Sequence, residues 1–183
     1  MIALIDTSSL LSLVRYYLPF DNQDRLLNYF KQKITVSEII ILDKVYDESK
    51  YVANGIIIDK LDFLKDKKHI VKTNDLLPDQ KFFNQLENQF CYGTMKNKLN
   101  APEFESEKNK FLNSADSKLI LYCLQNRGML SPPKMVIVTE ETISNNDKKT
   151  FQKLPAICDI LQIEHSTLPE LITTFSDLNI AFL

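Results

Sequence analysis

Acidic residues occur at four places along the chain where their side chains could bind a metal ion together. Each follows a predicted buried strand or lies early in a helix beside one, and they are Asp6, Glu48, Asp116 and the adjacent pair Glu140 and Glu141. Carboxylates gathered in one cleft repel one another unless a cation is present, and no basic residue stands beside Asp6 or directly after the strand before Glu140. Carboxylate oxygens are the ligands that Mg²⁺ and Mn²⁺ prefer. The pattern therefore predicts a site that holds Mg²⁺ or Mn²⁺ and hydrolyses phosphodiesters through hydroxide formed from a bound water.

Each acid also has a structural interpretation when it is taken alone. Asp116 could cap the helix that it begins, which is compatible with metal binding. Glu48 could be a solvated helix residue, and Glu140 and Glu141 could belong to a polar loop. Asp6 ends an apolar run, where a functional role is the better interpretation. Because the four places share one kind of position, the combination favours a common site.

The elements that must position these acids follow from the apolar pattern. Strands are predicted at 2–5, 39–42, 69–72, 135–139 and 163–165. Helices are predicted at 9–15, 22–33, 43–51, 59–67, 114–127, 155–161 and 168–175, with a mostly polar helical insertion at about 78–111. One boundary stays open, because Asp43 could cap the third helix or Ser37 could begin a longer helix through 39–42. Strands that alternate with helices predict a three-layer α/β fold with a parallel sheet, in which strand ends meet at one edge.

Composition indicates one ordinary globular domain over residues 1–183. The chain is 44% apolar and 25% charged, and its 22 basic and 24 acidic residues give a net charge of -2, which indicates neither a general nucleic-acid binder nor a membrane protein. No run reaches the roughly 18 apolar residues of a membrane span, so we expect no membrane partner and a cytoplasmic location. The three cysteines, Cys91, Cys123 and Cys158, form no C-x-x-C pair, which predicts reduced thiols rather than disulfides or a zinc site.

Other classes of α/β protein with an acid after the first strand are excluded, because this chain lacks residues that they require. A haloacid dehalogenase-like phosphatase needs a second aspartate where Ser8 stands, and a receiver domain needs an aspartate and a lysine that the later strands do not offer. Neither glycine-rich phosphate-binding motif occurs. Thr7 and Ser8 instead provide hydroxyl groups that could hydrogen-bond a carboxylate or a phosphate.

Four segments together resemble PIN-domain proteins. Residues 5–10, IDTSSL, resemble the family opening I-D-T-[NS]-x-L, and the other three are similar to its V-x-x-E, A-D and V-T-x-[DE] segments: 45–48 (VYDE), 114–116 (SAD) and 138–141 (VTEE). Residues 15–17 and 153–158 further resemble an uncharacterised bacterial and archaeal branch of PIN-like proteins. The order of the segments and their settings agree over residues 2–141.

The resemblance implies a metal-dependent endoribonuclease on a five-stranded parallel sheet in the order 3-2-1-4-5, often the toxin of a toxin–antitoxin pair. It implies that Asp6, Glu48 and Asp116 bind one or two metal ions and that a fourth acid completes the catalytic set. Spacing after Thr139 favours Glu141, although the family more commonly has aspartate there, and Glu140 and Asp147 stay open as alternatives. A catalytically degenerate PIN-like module that binds proteins is the alternative function.

An RNA substrate would need local basic groups near these acids. The candidates are Arg15, Lys148, Lys149 and Lys153. Tyr16 and Tyr17 could stack bases, but we interpret them as core aromatics. The insertion at 78–111 has no counterpart that the resemblance identifies, and an antitoxin or the second subunit of a homodimer could bind there.

Overall fold

A parallel five-stranded sheet organises the part of the chain described by the computed structural model, which covers residues 1–143, 149–175 and 178. The strands are β1 (Ile2–Ile5), β2 (Ile39–Leu42), β3 (Ile70–Val71), β4 (Met135–Val138) and β5 (His165–Ser166). Their order is β3-β2-β1-β4-β5, and every neighbouring pair is parallel. The predicted α/β class and the predicted strand order are therefore confirmed.

Helices flank the sheet and carry the chain from one strand to the next. They are α1 (Thr7–Ser12), α2 (Arg25–Thr35), α3 (Asp43–Ser49), α4 (Ile56–Lys60), α5 (Gln80–Asn88), α6 (Gly93–Lys96), α7 (Ala101–Leu112), α8 (Ala115–Arg127), α9 (Leu154–Leu161) and α10 (Leu168–Thr173). Within the described ranges, none of these helices is both long and apolar enough to cross a lipid bilayer. Cys123 and Cys158 are buried, and all three cysteines are free.

The central pair of strands sets the position of the candidate site. β1 lies between β2 and β4, and all four residues of β2 are buried, which is why an uninterrupted run of β-branched and leucine side chains is stable there. In the β1–β4 pair Ile5 lies opposite Val138, and the Asp6 amide continues the ladder by donating to the Val138 carbonyl at 2.9 Å. The residues that follow β1 and β4 therefore lie next to each other at the carboxyl edge.

The open boundary after α2 is resolved in favour of a strand. Ser37 has a left-handed backbone with φ of 61°, and 39–42 pairs with strands on both sides, so a longer helix from Ser37 is wrong. Asp43 does not cap α3 either, because Leu42 holds the cap position. The Asp43 carboxylate instead accepts hydrogen bonds from the amide and hydroxyl of Thr73, at 3.1 and 2.5 Å, and joins the start of α3 to the segment after β3.

The predicted insertion is helical, as expected, and contacts the segment that follows the fourth acid. It contains α5, α6 and α7, and Asn100 caps α7 through a reciprocal pair of hydrogen bonds with Glu103. An isolated antiparallel bridge joins Cys91 to Phe151. The insertion is thereby attached to the main domain beside the carboxyl edge.

The turn between α3 and α4 depends on Gly55, because its φ is +80° and an added Cβ would lie 3.0 Å from the Lys50 carbonyl oxygen. We expect Gly55→Ala to lower the free energy of unfolding by about 1–2 kcal/mol, since a left-handed backbone is unfavourable for residues with a Cβ. Urea unfolding measures the difference. Gly93→Ala is the control, because a Cβ at Gly93 meets no atom within 4 Å; equal losses in both variants would contradict the explanation.

Candidate functional site

Four acids that are distant in sequence line one cavity of about 340 Å³ at the carboxyl edge of the sheet. They are Asp6, Glu48, Asp116 and Glu141, and the rest of the lining comprises Thr7, Ser8, Leu11, Val52 and Ser114. The end of β1, α3, α8 and the segment after β4 each contribute one acid. The described lining contains no lysine or arginine, so the negative charges face one another across the cavity.

Asp6 is held by donors on both carboxylate oxygens and is only 5% exposed. Its Oδ1 accepts from the Thr7 amide at 2.7 Å, and its Oδ2 accepts from the Ser8 hydroxyl at 2.6 Å and the Thr139 hydroxyl at 3.0 Å. The Ser8 amide also donates to Oδ2, at 3.3 Å. Asp6 is therefore the N-cap of α1 and a fixed negative charge at the cavity wall.

Glu48 connects the first helix to the eighth. Its Oε2 accepts from the Thr7 hydroxyl at 3.0 Å, and its Oε1 accepts from the Ala115 amide at 3.4 Å. Much of the residue is exposed, but the carboxyl end turns into the cavity, where burial raises its pKa. The charges of Asp6 and Glu141 act in the same direction, while the two hydrogen bonds partly oppose them.

Asp116 has the most strongly shifted pKa among the four acids of the cavity for which a shift is seen. Burial raises its pKa to about 8, and the negative charges of Asp6, Glu141 and Glu48 add to the effect. The cap of α8 is Ser114, whose hydroxyl accepts from the Ser117 amide at 3.3 Å, so Asp116 is not needed as a cap. None of the hydrogen bonds among the described residues involves the Asp116 carboxyl, and Asp116 is part of the cavity lining.

The structure separates Glu141 from Glu140. The Glu141 carboxylate lines the cavity and accepts from the Leu154 amide at 3.2 Å. The Glu140 carboxylate instead accepts from the Leu168 amide at 2.7 Å, at the first residue of α10, and is not part of the cavity lining. Glu141 is thus the acid that the structure brings to Asp6, Glu48 and Asp116, whereas Asp147 lies outside the described residues.

Sequence reasoning assigned no role to Thr139, although the motif segment 138–141 contains it. Its hydroxyl donates to Asp6, lies 3.2 Å from the Ser8 hydroxyl and accepts from the Glu141 amide at 3.2 Å. Thr139 is 2% exposed and joins the two strand ends that carry the first and fourth acids. The signal was available, because a threonine after β4 lies opposite Asp6 in the parallel register.

The donor set fits a hydrated hard cation. Among the described residues no three Asp, Glu, His or Cys side chains lie close enough to ligate one ion together. Mg²⁺ keeps several waters and is commonly held through one or two carboxylates, so a cavity lined by carboxylates and hydroxyls matches it without such a cluster. The raised pKa values of Asp116 and Glu48 reflect burial first and the neighbouring negative charges second, and a divalent cation would favour the ionised form of both groups.

The basic candidates are distributed unevenly around this cavity. Lys149 and Lys153 line an adjoining cavity that shares Asp116 with the acid cavity, and the Lys149 ammonium lies 4.0 Å from the Glu141 carboxylate. Arg15 is exposed on the π-helical turn Leu13–Tyr17 that continues α1. Lys148 lies outside the described residues.

The two tyrosines of that turn differ from each other. Tyr16 is 66% exposed, so its interpretation as a core aromatic is wrong; its place on the outer side of the turn explains the exposure. Tyr17 packs against the core as predicted, and burial together with the Glu140 charge raises its pKa.

Comparison with known proteins assigns the chain to a family. No curated protein matches the chain. The family model described as "Domain of unknown function (DUF4411)" matches residues 4–176, which include all or part of every strand and every acid of the cavity. The match spans most of the 183 residues. The chain therefore belongs to the DUF4411 family.

Proposed function

We propose that the chain is a divalent-metal-dependent endoribonuclease whose active site is the cavity lined by Asp6, Glu48, Asp116 and Glu141. The observation that carries the proposal is the convergence of these acids, from four separate elements, on one cavity whose described lining holds no basic side chain. A structural role for each acid would not require them to meet. Burial, with the added effect of the neighbouring negative charges, raises the pKa of Asp116 to about 8, which is the opposite of what selection for stability alone would favour.

Mg²⁺ or Mn²⁺ bound there would supply a nucleophilic hydroxide at neutral pH and would neutralise charge on the phosphate. Asp6 and Asp116 would hold the ion, because Asp6 is fixed by donors and Asp116 offers oxygens without a described hydrogen-bond donor. Glu48 orients Thr7 and faces Asp116 from α3. Glu141 closes the fourth side and is itself held by the Leu154 amide.

The choice of RNA as the substrate rests on the resemblance to PIN-domain proteins. That resemblance is carried by the segments that contain the cavity acids, and the strand order that it implies is the order of this sheet. We extend the proposal to cytoplasmic action, supported by the free cysteines, and to a toxin neutralised by an antitoxin. Membership of the toxin class predicts that expression without the partner arrests growth.

The test combines metal binding and cleavage in the full chain. We expect isothermal titration calorimetry to detect Mn²⁺ binding at neutral pH, and a labelled RNA to be cut internally when Mn²⁺ or Mg²⁺ is added but not when a chelator is present. Absence of both binding and cleavage would reject the enzyme. That result would favour a degenerate PIN-like module that binds proteins.

Glu48→Gln is expected to reduce cleavage at least about 100-fold, because glutamine keeps the shape of the side chain but removes a negative charge from the metal environment. The rate of RNA cleavage at saturating Mn²⁺ measures the loss. Asp47→Asn is the matched control, since Asp47 is the neighbouring acid on α3 but is exposed and pairs with Lys50 at 2.6 Å. Similar losses in both variants would show that net charge, rather than the cavity, is responsible.

A further inference from the structure

A second cavity of about 330 Å³ adjoins the acid cavity and shares Ser114 and Asp116 with it. One wall is the end of α7, which provides Glu107, Lys110 and Phe111, and the opposite wall is the segment 149–153. We call it the lysine cavity, because Lys110, Lys149 and Lys153 line it. A molecule that fills both cavities would pass over Asp116.

The lining of the lysine cavity contains three lysines against two acids, Glu107 and Asp116, so its formal charge is positive, as a phosphate requires. Lys149 is 64% exposed and lies 4.0 Å from Glu141, at the boundary between the two cavities. Lys110 is 71% exposed and pairs with Glu107 at 2.7 Å. An exposed ion pair of this kind contributes little free energy, so a phosphate can replace the carboxylate as the partner of Lys110.

Two buried aromatic rings, one from each wall, pack together in the lining of the lysine cavity. The rings of Phe111 and Phe151 lie 4.8 Å apart and are 8% and 7% exposed. Because they are buried, they fix the separation of the two walls rather than offer a free face for stacking. Thr150 and Gln152 complete the lining with polar groups.

The insertion holds the lysine segment in place through its backbone. The Tyr92 amide donates to the Thr150 carbonyl at 3.0 Å, and the Gln152 amide donates to the Phe90 carbonyl at 2.8 Å. The Gln152 side chain adds a bond to the Gln89 carbonyl at 2.7 Å. The residues of 78–111 therefore both build one wall of the lysine cavity and anchor the other.

We infer that the lysine cavity is a phosphate subsite, built by the helical insertion, that holds the nucleotide next to the scissile phosphodiester of a single RNA strand. The inference rests on the proposed function, because the acid cavity supplies the scissile position. Asp116 forms part of both cavities, so a strand with one phosphate at the acids places its neighbour over the lysines. A volume of about 330 Å³ is at the lower end of small-ligand sites, which matches a single nucleotide.

The test measures binding separately from cleavage. A fluorescently labelled single-stranded RNA of about 12 nucleotides, within the length that one single-strand-binding module covers, is titrated with the full chain in the presence of a chelator. We expect the double variant K110Q/K149Q to bind about tenfold more weakly at low salt. The slope of log affinity against log salt concentration should be shallower by about 0.7 for each phosphate that the variant no longer neutralises. The control is K98Q/K134Q, which changes net charge equally at exposed lysines outside the lysine cavity.

The outcomes distinguish this inference from the proposed function. Equal RNA affinities of the two double variants, or an unchanged salt dependence in K110Q/K149Q, would overturn the inference that the lysine cavity is a phosphate subsite, even if the wild-type chain cleaves RNA. Selective weakening of binding in K110Q/K149Q would support it. If that selective effect occurs but the wild-type chain does not cleave RNA with Mn²⁺, the proposed nuclease fails and an RNA-binding site remains. Equal binding of a duplex would overturn the assignment to a single strand.

Discussion

Asp6→Asn is expected to reduce RNA cleavage by at least about 1,000-fold while leaving the protein folded. The reduction corresponds to several kcal/mol of transition-state stabilisation, which is the contribution that metal-assisted charge neutralisation makes. The fold should tolerate the change, because the Ser8 and Thr139 hydroxyls that donate to Oδ2 can rotate and accept from an amide group instead. The Ser8 amide, at 3.3 Å, would then face a second donor, and the two hydroxyls, which already accept from the Glu140 and Glu141 amides, would lose the acceptor of their own protons, so we expect a lower but still cooperative unfolding transition.

Two measurements separate the catalytic effect of Asp6→Asn from a structural one. Thermal unfolding should show a variant that still unfolds cooperatively, and calorimetry should show weakened Mn²⁺ binding. Asp66→Asn serves as a control, because Asp66 also caps a short helical turn but is exposed and is not part of the acid cavity. If Asp6→Asn retained more than about a tenth of the wild-type rate in a folded protein, Asp6 would not be a metal ligand.

The strand pattern was sufficient to predict a parallel sheet because its central strands are buried on both faces, whereas the strand order was expected from the resemblance to PIN-domain proteins. The runs 2–5 and 135–138 contain no polar residue, and their parallel register carries Asp6 and Thr139 to the same edge. Sequence therefore located the edge and the acids that follow each strand. The less regular stretches were predicted less well: the single helix expected at 59–67 is α4 from Ile56 to Lys60 and a separate 3₁₀ turn, Asp62–Lys65.

Spacing after Thr139 favoured Glu141 over Glu140, as the cavity lining has it, but the sequence could not exclude Glu140. Adjacent residues in an extended segment point in opposite directions, so one of the two had to leave the cavity. Which one leaves depends on α10, whose first amide, that of Leu168, binds the Glu140 carboxylate. That contact joins residues far apart in the chain, and no local pattern encodes it.

The lysine cavity could not be predicted from the sequence either, because it also depends on contacts between residues far apart in the chain. Sequence reasoning grouped Lys149 and Lys153 by proximity along the chain but did not include Lys110, which lies on a separate helix of the insertion. The antiparallel bridge between Cys91 and Phe151 brings the two segments together, and neither residue carries a recognisable pairing signal. A helical insertion without a known counterpart can be predicted as helical, but its docking surface depends on tertiary contacts.

Asp116→Asn is expected to stabilise the metal-free protein at neutral and alkaline pH while it removes cleavage activity. The pKa of Asp116 is about 8 in the folded protein, against an ordinary value of 3.8. Between those pH values the folded state binds more protons than the unfolded state, so the stability of the wild-type chain falls as pH rises. Asparagine does not ionise, so the variant does not show this decrease. Converting the whole pKa difference between the folded and unfolded states into free energy gives an upper bound. Because Asp116 is partly exposed, we expect the free energy of unfolding of the variant to exceed that of the wild-type chain by about 2 kcal/mol at pH 8.

The comparison is made by urea unfolding of both proteins from about pH 4 to about pH 8, with and without Mn²⁺. In chelator the free energies of unfolding of the wild-type chain and Asp116→Asn should converge at the acidic end of this range and diverge as pH rises. Asp116 is protonated in both the folded and the unfolded state only at low pH. Mn²⁺ should then stabilise the wild-type chain, by about 2.7 kcal/mol at about 100 times the dissociation constant, but not Asp116→Asn. If the free energies of unfolding of the two proteins in chelator changed with pH in parallel, the pKa of Asp116 would not be raised in the folded protein. The reversal by Mn²⁺ connects the pKa to function, because the burial and the neighbouring negative charges that disfavour ionised Asp116 in chelator are offset when a cation binds.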